Sequence, residues 1–397
     1  MPINDWLMSY LQYTAKQESP NNYHIWSGLS AISATLRRQV FIDMGHFTVY
    51  PNMYVVLVGP AGKCRKTVAI NCATRLVSNL NDEDIKISAD SITREALIGA
   101  LKDSTSSVDL NDSIYTHSSL TVISKELSVF LGSNNPNLLS LLTDLYDCPD
   151  LWVYKTKGQG TDTLHGVWLN LLGASTPDWL VGSIPLSAIG GGFTSRVMFV
   201  VEDAVRHKTA LPKITKEELK IKEDLIAGLE RMSNLRGEFI LNEEAIQFFT
   251  NWYLNENIKI EDPRFSGYAE RKHIHLLKVA LLLSISRGST QIVSDIDIKG
   301  ALELINNIEP NMIKAFGSVG RNPSAQDIGF IIDCIQKVGK ISREDLINIA
   351  WKDVNTTEFE RLMETIKEMG NVVEMRGAKT NKKFYVWKEI KEKGEIE

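Results

Sequence analysis

The sequence predicts an α/β fold with a parallel sheet at its centre. Five apolar runs typical of buried strands follow one another between residues 53 and 201, and helical patterns separate several of them. The first run leads through a short glycine-containing loop into a helical segment. With 397 residues, the chain is long enough for several domains. The expected domains are a helical and β cap at 1–50, an α/β core at 51–205 with an inserted hairpin at 151–166, a helical lid at 206–318 and a winged helix at 319–397.

The composition is ordinary for a soluble globular protein and narrows the classes of function. The formal charge of −5 gives no global basic field, so nucleic-acid binding would have to come from local patches. The four cysteines lack CxxC spacing, which argues against a zinc site and a disulfide framework. No apolar run reaches the length of a membrane span, and the first residues lack a basic signal-like segment. We therefore expect a cytoplasmic protein with no membrane partner.

The strands and helices are expected from periodicity. Residues 22–38 carry apolar side chains at helical spacing, and 39–50 resemble a hairpin. Residues 214–316 follow a helical pattern throughout. The strands after the first one are expected at 85–88, 120–124, 167–173 and 196–201. The winged helix is expected from helices at 324–339, 342–351 and 356–370 and strands at 372–375 and 384–387.

The loop after the first strand has the order of a phosphate-binding loop. Strand residues 53–58 precede a loop that contains Gly59 and Gly62 and ends in Lys66-Thr67, where a helical segment begins. In such loops the backbone N–H groups and the helix N-terminus face the phosphates of a nucleoside triphosphate. We expect Lys66 to meet the β- and γ-phosphates and the Thr67 hydroxyl to hold Mg²⁺, which makes ATP and Mg²⁺ the expected cofactors.

The loop departs from the usual pattern at one position. The pattern places a glycine directly before the lysine, but Arg65 stands there, and the spacing from Gly59 is one residue longer than usual. Counted strictly from Gly59, Arg65 would take the place of the lysine. We favour Lys66, because only that choice puts a hydroxyl next to the amine. The alternative is a basic turn after a buried strand, with no ligand.

Two strand ends after this loop carry candidate polar groups. Glu126 follows the third apolar run and is the candidate base that activates water, although Lys125 stands where an Mg²⁺-holding Asp is usual. The alternative is that Glu126 merely caps a helix. Ser175 and Thr176 follow the fourth run, where a hydroxyl could sense the γ-phosphate. The alternative there is a Ser/Thr-Pro helix start, since both residues are favoured N-caps.

Two arginines are candidates for contact with the nucleotide. Arg196 follows a glycine-rich loop that includes Gly190–Gly192 and directly precedes the fifth run, so we expect an arginine finger that acts on a neighbouring subunit. The alternative is a local salt bridge. In the lid, Arg271 and Lys278 lie two turns apart on one helix, and Arg271 is the candidate for contact with the γ-phosphate. A solvated helix face is the alternative.

Two basic segments are candidates for DNA contact. Residues 151–166 resemble a hairpin whose tip carries Lys155 and Lys157, which would bind the phosphate backbone without sequence preference. The alternative is an exposed hairpin with solubilising lysines. The candidate wing carries four basic residues: Arg376, Lys379, Lys382 and Lys383.

The third helix of the expected winged helix is acidic, which limits what this domain can bind. A recognition helix of that charge would be repelled by a DNA major groove. Nonspecific contact by the wing or docking of a protein is therefore favoured over reading of bases. The acidic residues are Glu358, Glu360, Glu364 and Glu368.

Taken as an ordered set, several segments resemble a known family: the AAA+-like replicative helicases of phages and prophages, of the primase-helicase type. The similarity covers roughly residues 20 to 290. It implies ATP hydrolysis, assembly into rings (hexamers), a replication setting with other replication proteins, and a bacterial host. The segments that carry it are 25–38, 50–55, 88–97, 124–127, 173–180 and 191–196.

The function expected from the sequence is therefore a Mg-ATP-dependent ring ATPase that moves along single-stranded DNA. Two alternatives of other classes stay open. One is a helicase loader or replication initiator that uses nucleotide as a switch and hydrolyses it slowly. The other is a non-enzymatic DNA-binding scaffold with a decayed loop.

Overall fold

The fold is described from a computed structural model of the chain. The residues described are 5–88, 92–110, 113–132, 135–156, 160–183, 192–255, 265–288, 291–316, 325–350, 356–376 and 382–388. The chain divides into two compact units, residues 1–317 and 318–397. Each unit is described by itself.

The first unit is a mixed α/β structure, which confirms the expected fold class. Its helices are α1 (Trp6–Tyr13), α2 (Asn21–Leu36), α3 (Lys66–Val77), α4 (Arg94–Asp103), α5 (Leu127–Leu131), α6 (Pro136–Tyr146), α7 (Pro177–Ser183), α8 (Lys216–Met232), α9 (Glu243–Asn255), α10 (Ser266–Ser286) and α11 (Asp295–Ala315). Its strands are β1 (Val40–Asp43), β2 (Thr48–Val49), β3 (Tyr54–Val58), β4 (Ile87–Ser88), β5 (Thr105–Leu110), β6 (Ser113–Ser124), β7 (Leu151–Thr156), β8 (Gly160–His165), β9 (Val167–Ser175), β10 (Val197–Val201), β11 (Gly237–Glu238), β12 (Ile240–Leu241) and β13 (Ile292–Val293).

The central sheet has the strand order β10-β3-β9-β6-β4, and these strands are parallel. Every residue of β3 and β9 is buried. Such continuous apolar runs are typical of parallel strands that helices cover on both faces. The all-apolar sequence of β3 therefore explains its central position.

Strands β3 and β9 are neighbours, but the chain leaves them in opposite directions across the sheet. After β3 it runs through α3 to β4 at one edge, and after β9 it runs past α7 to β10 at the other edge. In open α/β sheets, a crevice forms at the carboxyl ends of two strands whose connections diverge in this way. The topology therefore predicts a ligand site between the end of β3 and the end of β9.

A polar hairpin that the sequence does not predict adds one antiparallel strand to the central sheet. Strand β5 pairs antiparallel with the first half of β6, from Thr105 opposite Ser118 to Leu110 opposite Ser113. A second hairpin, β7–β8, pairs Leu151 with His165 and Thr156 with Gly160, as expected for the inserted hairpin.

The N-terminal segment makes hydrogen bonds to strands and helices that follow the central sheet in the chain. Strand β1 pairs with β2 as the expected hairpin and also pairs in parallel with β11. In α1, the indole of Trp6 donates to the Leu225 carbonyl at 2.9 Å, and the Leu7 N–H donates to the Ser286 hydroxyl at 2.8 Å. The boundaries expected at residues 50 and 205 stay predictions, and the β1–β11 pairing crosses both.

In the part of the second unit that the structure describes, there are three helices and a small antiparallel sheet of order β14-β16-β15. Its core is apolar and includes Ile331, Phe359 and Ile366. Strand β14 was not expected from the sequence, because it has only three residues. The elements are α12 (Ala325–Val338), β14 (Lys340–Ser342), α13 (Arg343–Ala350), α14 (Thr356–Glu368), β15 (Val372–Arg376) and β16 (Lys383–Trp387). Within the described ranges of both units, none of the helices combines the length and apolarity needed to cross a lipid bilayer.

Candidate functional site

The glycine-containing loop lies at the carboxyl end of β3, where the topology predicts a ligand site. A side chain at Gly59 would place its Cβ 2.6 Å from both the Glu202 carbonyl oxygen and the Tyr23 hydroxyl, so only glycine fits there. Gly62 has a φ of +71°, in the left-handed region that glycine adopts most easily. Both glycines therefore have backbone reasons for their positions.

Arg65, which stands where the pattern has a glycine, takes a backbone conformation that glycine adopts most easily. Its φ of +53° and ψ of +38° are left-handed, directly before the first residue of α3. Its guanidinium points to other partners, since Nε donates to Glu18 Oε2 at 2.8 Å and Nη1 to the Gly62 carbonyl at 2.6 Å. The position before Lys66 therefore has a glycine-like backbone but carries an arginine side chain.

Lys66 folds back over the loop. Its Nζ donates to the carbonyl oxygens of Gly59 at 2.5 Å and Pro60 at 3.2 Å. The side chain is half-buried, and burial lowers the pKa of its amine while the nearby Cys64 raises it. Because α3 begins at Lys66, the N–H groups of its first turn have no acceptors within the helix. The amine and the helix start together form a cationic cradle, and the Arg65 guanidinium is turned toward Glu18.

The base of the loop is packed by residues that the sequence did not single out. Cys64 is fully buried, and its thiol donates to the Glu202 carbonyl at 3.3 Å. The Tyr23 hydroxyl donates to the Val58 carbonyl at 2.5 Å. Glu202, which directly follows β10, accepts from Asn22 at 2.7 Å, and burial raises the pKa of its carboxyl. The position of Glu202 after an apolar run was a signal that could have identified it.

Ser175 is adjacent to the loop, and Thr176 begins a helix. Ser175 ends β9 opposite Val58, and its carbonyl accepts from the Gly59 N–H at 3.3 Å. Its hydroxyl lies at the crevice between β3 and β9 and donates to the Thr176 carbonyl at 3.3 Å. The Thr176 hydroxyl accepts from the Trp179 N–H at 3.4 Å, which matches the helix-start alternative. Of the two hydroxyls, Ser175 is therefore the better sensor candidate.

Glu126 lies two residues beyond the end of β6 and is exposed. Strand β6 is next to β9, so Glu126 is on the loop side of the sheet, about two strand spacings (~10 Å) from β3. It occupies the N-cap position of α5, but its side chain makes no capping hydrogen bond. Glu126 therefore stands at the position of a helix cap, but its carboxylate does not cap the helix.

The residues present fit a magnesium ion only in part. Thr67 is exposed in the first turn of α3, next to Lys66, as a Mg²⁺-binding hydroxyl should be. Among the described residues there is no group of three or more His, Cys, Asp or Glu side chains that could hold a metal by themselves. A bound Mg²⁺ would therefore depend on Thr67 and on the phosphates of a nucleotide.

Arg196 and Arg271 lie at the opposite end of the sheet from the loop. Arg196 directly precedes β10, whose first residue pairs with the first residue of β3. Its Nη2 donates to Asp147 Oδ2 at 2.6 Å, and Arg271 Nη1 lies 3.5 Å from the other oxygen of that carboxylate. The expectation that Arg271 contacts the γ-phosphate stays a prediction. In its own chain Arg271 lies beside Asp147, at the amino ends of the strands and away from the loop.

For Arg196, the structure contains the local salt bridge that was the alternative. Its side chain is only 7% exposed, and Nη1 donates to the Gly192 carbonyl at 2.7 Å. Gly190 and Gly191 of the preceding loop lie outside the described residues. An arginine finger at this position could act only on another subunit, since its own loop is at the far end of β3.

The hairpin places Lys155 on its outer face. Lys155, Val153 and Leu151 are all exposed, whereas Trp152 and Tyr154 are half-buried and stack on each other. Arg94 lies 4.8 Å from the centre of the Tyr154 ring, so the aromatic face is turned toward α4. Lys157 lies outside the described residues.

In the second unit, the basic residues of the candidate wing have acidic partners. Lys382 Nζ lies 2.8 Å from Glu344, and Lys383 Nζ lies 3.1 Å from Glu374. Arg376 is exposed at the end of β15, and Lys379 lies outside the described residues. Exposed ion pairs contribute only about 0–1 kcal/mol, so a DNA phosphate could displace either carboxylate.

Comparisons with models of known protein families and with curated proteins found no match to this chain.

Proposed function

We propose that the first unit binds a nucleoside triphosphate at the carboxyl ends of β3 and β9. The observation that carries the proposal is the position of Lys66, whose amine covers the loop carbonyls of Gly59 and Pro60 at the start of α3. A phosphate chain in this position would replace the two carbonyls as partner of the amine. The loop, the helix start and Ser175 all meet at the crevice predicted by the topology.

We further propose that the nucleotide is ATP with Mg²⁺ and that the chain hydrolyses it. Thr67 would hold the ion, which supplies charge neutralisation on the phosphates. Glu126 would orient and deprotonate the attacking water, and Ser175 would hydrogen-bond the γ-phosphate or that water. The exposure of Glu126 at the loop side of the sheet supports this role, since water can reach its carboxylate there.

The wider proposal is a ring ATPase of the AAA+-like class, with a P-loop core, that moves along single-stranded DNA. The position of β9 between β3 and β6 supports it, because the resemblance implies an inserted strand that ends in a polar sensor. In a ring, which the resemblance implies to be a hexamer, Arg196 would exchange Asp147 for the nucleotide of a neighbour. Lys155 would contact the DNA backbone from the outer face of the hairpin.

We also propose that the second unit is a winged helix. Three helices and an antiparallel sheet whose β15–β16 connection is basic support this assignment. The acidic α14 favours contact with DNA through the wing, or docking of a replication protein, over reading of bases.

The test of the main proposal is ATP turnover by the full chain, with and without single-stranded DNA, beside Lys66→Ala. We expect turnover that rises with DNA and falls at least tenfold in the variant, because the amine neutralises phosphate charge. The control is Lys63→Ala, an exposed lysine of the same loop that should leave turnover within about twofold. Equal turnover in Lys66→Ala and the original chain would contradict the proposal.

A slow nucleotide switch, as in a helicase loader or initiator, is the second candidate function. The observation that favours it is the absence of an acidic partner next to Glu126, where the exposed Lys125 stands instead. Tight nucleotide binding, with turnover that DNA does not stimulate, would favour the switch over the motor. Absence of nucleotide binding altogether would favour the DNA-binding scaffold.

A further inference from the structure

A cavity of about 670 Å³ lies at the amino ends of the strands in the first unit. Arg196, which lines it, precedes β10, and Val197 pairs with Tyr54 at the start of β3. The glycine-containing loop follows Val58, at the other end of the same strand. Four residue steps of a strand separate these ends by roughly 13 Å. The cavity is therefore separate from the nucleotide site proposed above, and its size suits a small-molecule ligand.

Three cations meet at this cavity. They are Arg196, Arg271 and Lys278, and they face the carboxylates of Asp147 and Glu270. His273 also lines the cavity, and its imidazole adds no charge at pH 7 because burial lowers its pKa. The formal balance of three positive and two negative charges leaves the cavity cationic.

The two guanidiniums share one carboxylate. Arg196 Nη2 lies 2.6 Å from Asp147 Oδ2, and Arg271 Nη1 lies 3.5 Å from Asp147 Oδ1. Two guanidiniums that hold two oxygens of one anion are a geometry that also fits a phosphoryl group. Asp147 is 53% exposed, so its carboxylate can move out and leave this position to another anion.

Among the described residues, none accepts a hydrogen bond from the Nε donor of Arg196. Its Nε is buried and has no hydrogen-bond partner, while Nη1 and Nη2 are bonded to Gly192 and Asp147. Buried donors are almost always paired, so an unpaired one in a cavity wall needs an explanation. Nε has almost no exposed surface, so an oxygen of a bound anion would supply this acceptor only after the Arg196 side chain shifts.

The walls beside these cations are aromatic. Lys278 Nζ lies 4.5 Å from the centre of the Tyr146 ring, and Arg196 Cζ lies 5.9 Å from it. Phe47 and Tyr50 also line the cavity, and Phe47 is 46% exposed. Flat apolar rings next to guanidiniums are suited to a ligand that joins a planar ring to an anionic group.

We propose that this cavity is a second nucleotide-binding site, in which Arg196 and Arg271 hold a phosphate and the aromatic wall holds the base. The site needs no neighbouring subunit, and it does not depend on the phosphate-binding role of Lys66. It is an alternative to the arginine-finger role of Arg196, because one guanidinium cannot hold both phosphates at the same time. Asp147 occupies the phosphate position when no ligand is bound and competes with it.

The test uses the full chain carrying Lys66→Ala, because this change weakens the proposed loop site in every subunit of any assembly. Binding of AMP is measured by isothermal titration calorimetry. We expect one remaining class of site, which weakens at least tenfold when Arg271→Gln is added. Adding Arg75→Gln, at an exposed arginine of α3, should leave the affinity unchanged. No AMP binding by Lys66→Ala, or binding that Arg271→Gln leaves intact, would overturn the proposal.

A second variant gives an effect of opposite sign. Asp147→Asn removes the competing charge, so AMP should bind several-fold more tightly, whereas a purely structural role of Asp147 predicts weaker binding. Thermal unfolding of the free variant shows whether it is folded. Inorganic phosphate and a short oligothymidylate are the comparison ligands. Phosphate that binds as tightly as AMP, or an oligonucleotide that binds in place of AMP, would overturn the assignment to a mononucleotide.

These outcomes also separate this proposal from the main one. If the unmodified chain binds nucleotide at a single class of site, and Arg271→Gln but not Lys66→Ala abolishes it, the second site stands and the loop proposal fails. If Lys66→Ala alone abolishes all nucleotide binding, the loop proposal stands and the second site fails.

Discussion

The residue that departs most clearly from the phosphate-loop pattern is Arg65, and the structure gives a physical reason why the departure is tolerated. A left-handed conformation costs a non-glycine residue roughly 1–2 kcal/mol. Arg65 recovers part of that cost through its bonds to Glu18 and to the Gly62 carbonyl. The loop can therefore keep a glycine-like backbone without the glycine.

This leads to a prediction that distinguishes the two basic residues of the loop. Arg65→Gly should leave the affinity for ATP within about twofold, because the guanidinium is bonded to Glu18, and exposed pairs contribute little. Lys66→Ala should weaken binding at least about tenfold, or ~1.4 kcal/mol. Both affinities can be measured by calorimetry. The opposite order of effects would transfer the phosphate-binding role to Arg65.

Gly59 should be intolerant of even one added methyl group. The new Cβ of Gly59→Ala would lie 2.6 Å from the Glu202 carbonyl, and we expect a loss of about 1–3 kcal/mol in the free energy of unfolding. The matched control is Gly99→Ala in the middle of α4, where the space around the added Cβ is open. That change should stabilise the helix by roughly 0.5–1 kcal/mol. Urea unfolding of both variants checks the signs, and a neutral Gly59→Ala would contradict the close packing.

At the scale of elements, the parallel strands could be predicted because they are short apolar runs. Strand β5 and the first half of β6 could not, because Thr105–Leu110 and residues 113–117 are mostly polar and carry no apolar alternation. Their stability comes from pairing with each other. The parallel pairing of β1 with β11 also could not be predicted, since it joins residues almost 200 positions apart.

In the candidate site, too, some residues could be predicted from local sequence patterns and others could not. Lys66, Thr67 and Ser175 could be predicted to lie together because local order and strand ends determine their positions. The partners of Arg196 and Arg271 depend on which end of the sheet the helix α10 covers, and no local pattern contains that information. The fully buried Tyr23 and Cys64 at the base of the loop were missed for the same reason.

The hairpin β7–β8 carries a prediction about salt dependence. If Lys155 contacts the DNA backbone, Lys155→Ala should change the salt dependence of binding to single-stranded DNA. The slope of the logarithm of the binding constant against the logarithm of the salt concentration should fall in magnitude by about 0.7, the value for one phosphate contact. The control is Lys102→Ala, because Lys102 is paired with Asp162 of the same hairpin at 2.9 Å. A slope that changes equally in both variants would contradict a specific role of the hairpin.

At the scale of the whole molecule, the histidines are unevenly distributed. All seven lie before residue 318, so the second unit has none. Three of them are buried, and burial lowers the pKa of His24 to about 3 and the pKa values of His117 and His275 to about 4. Their ordinary value is about 6.5. The first unit therefore contains three buried imidazoles that the folded state keeps neutral, besides the partly buried His273.

Acid should consequently destabilise the first unit well before its carboxylates titrate. Below about pH 6.5 the unfolded chain binds protons that the folded chain does not, so stability falls as the pH drops from 6.5 toward 4. The slope can reach about 4 kcal/mol per pH unit if all three histidines contribute. Urea unfolding between pH 5 and 7 measures it. His117→Gln should reduce the slope, and His46→Gln, at an exposed position, should not.

The anchoring of α1 has a consequence for the order in which the protein can assemble during synthesis. The Leu7 N–H is bonded to the hydroxyl of Ser286, which lies 279 residues later in the chain. At about 5–20 residues per second, a ribosome needs roughly 15 to 55 seconds to make that partner. Until then the apolar face of α1, with Trp6, Leu7 and Tyr10, has no final packing surface. The nascent chain would therefore expose an aromatic segment for most of its synthesis, which makes this helix a natural point of contact for a chaperone.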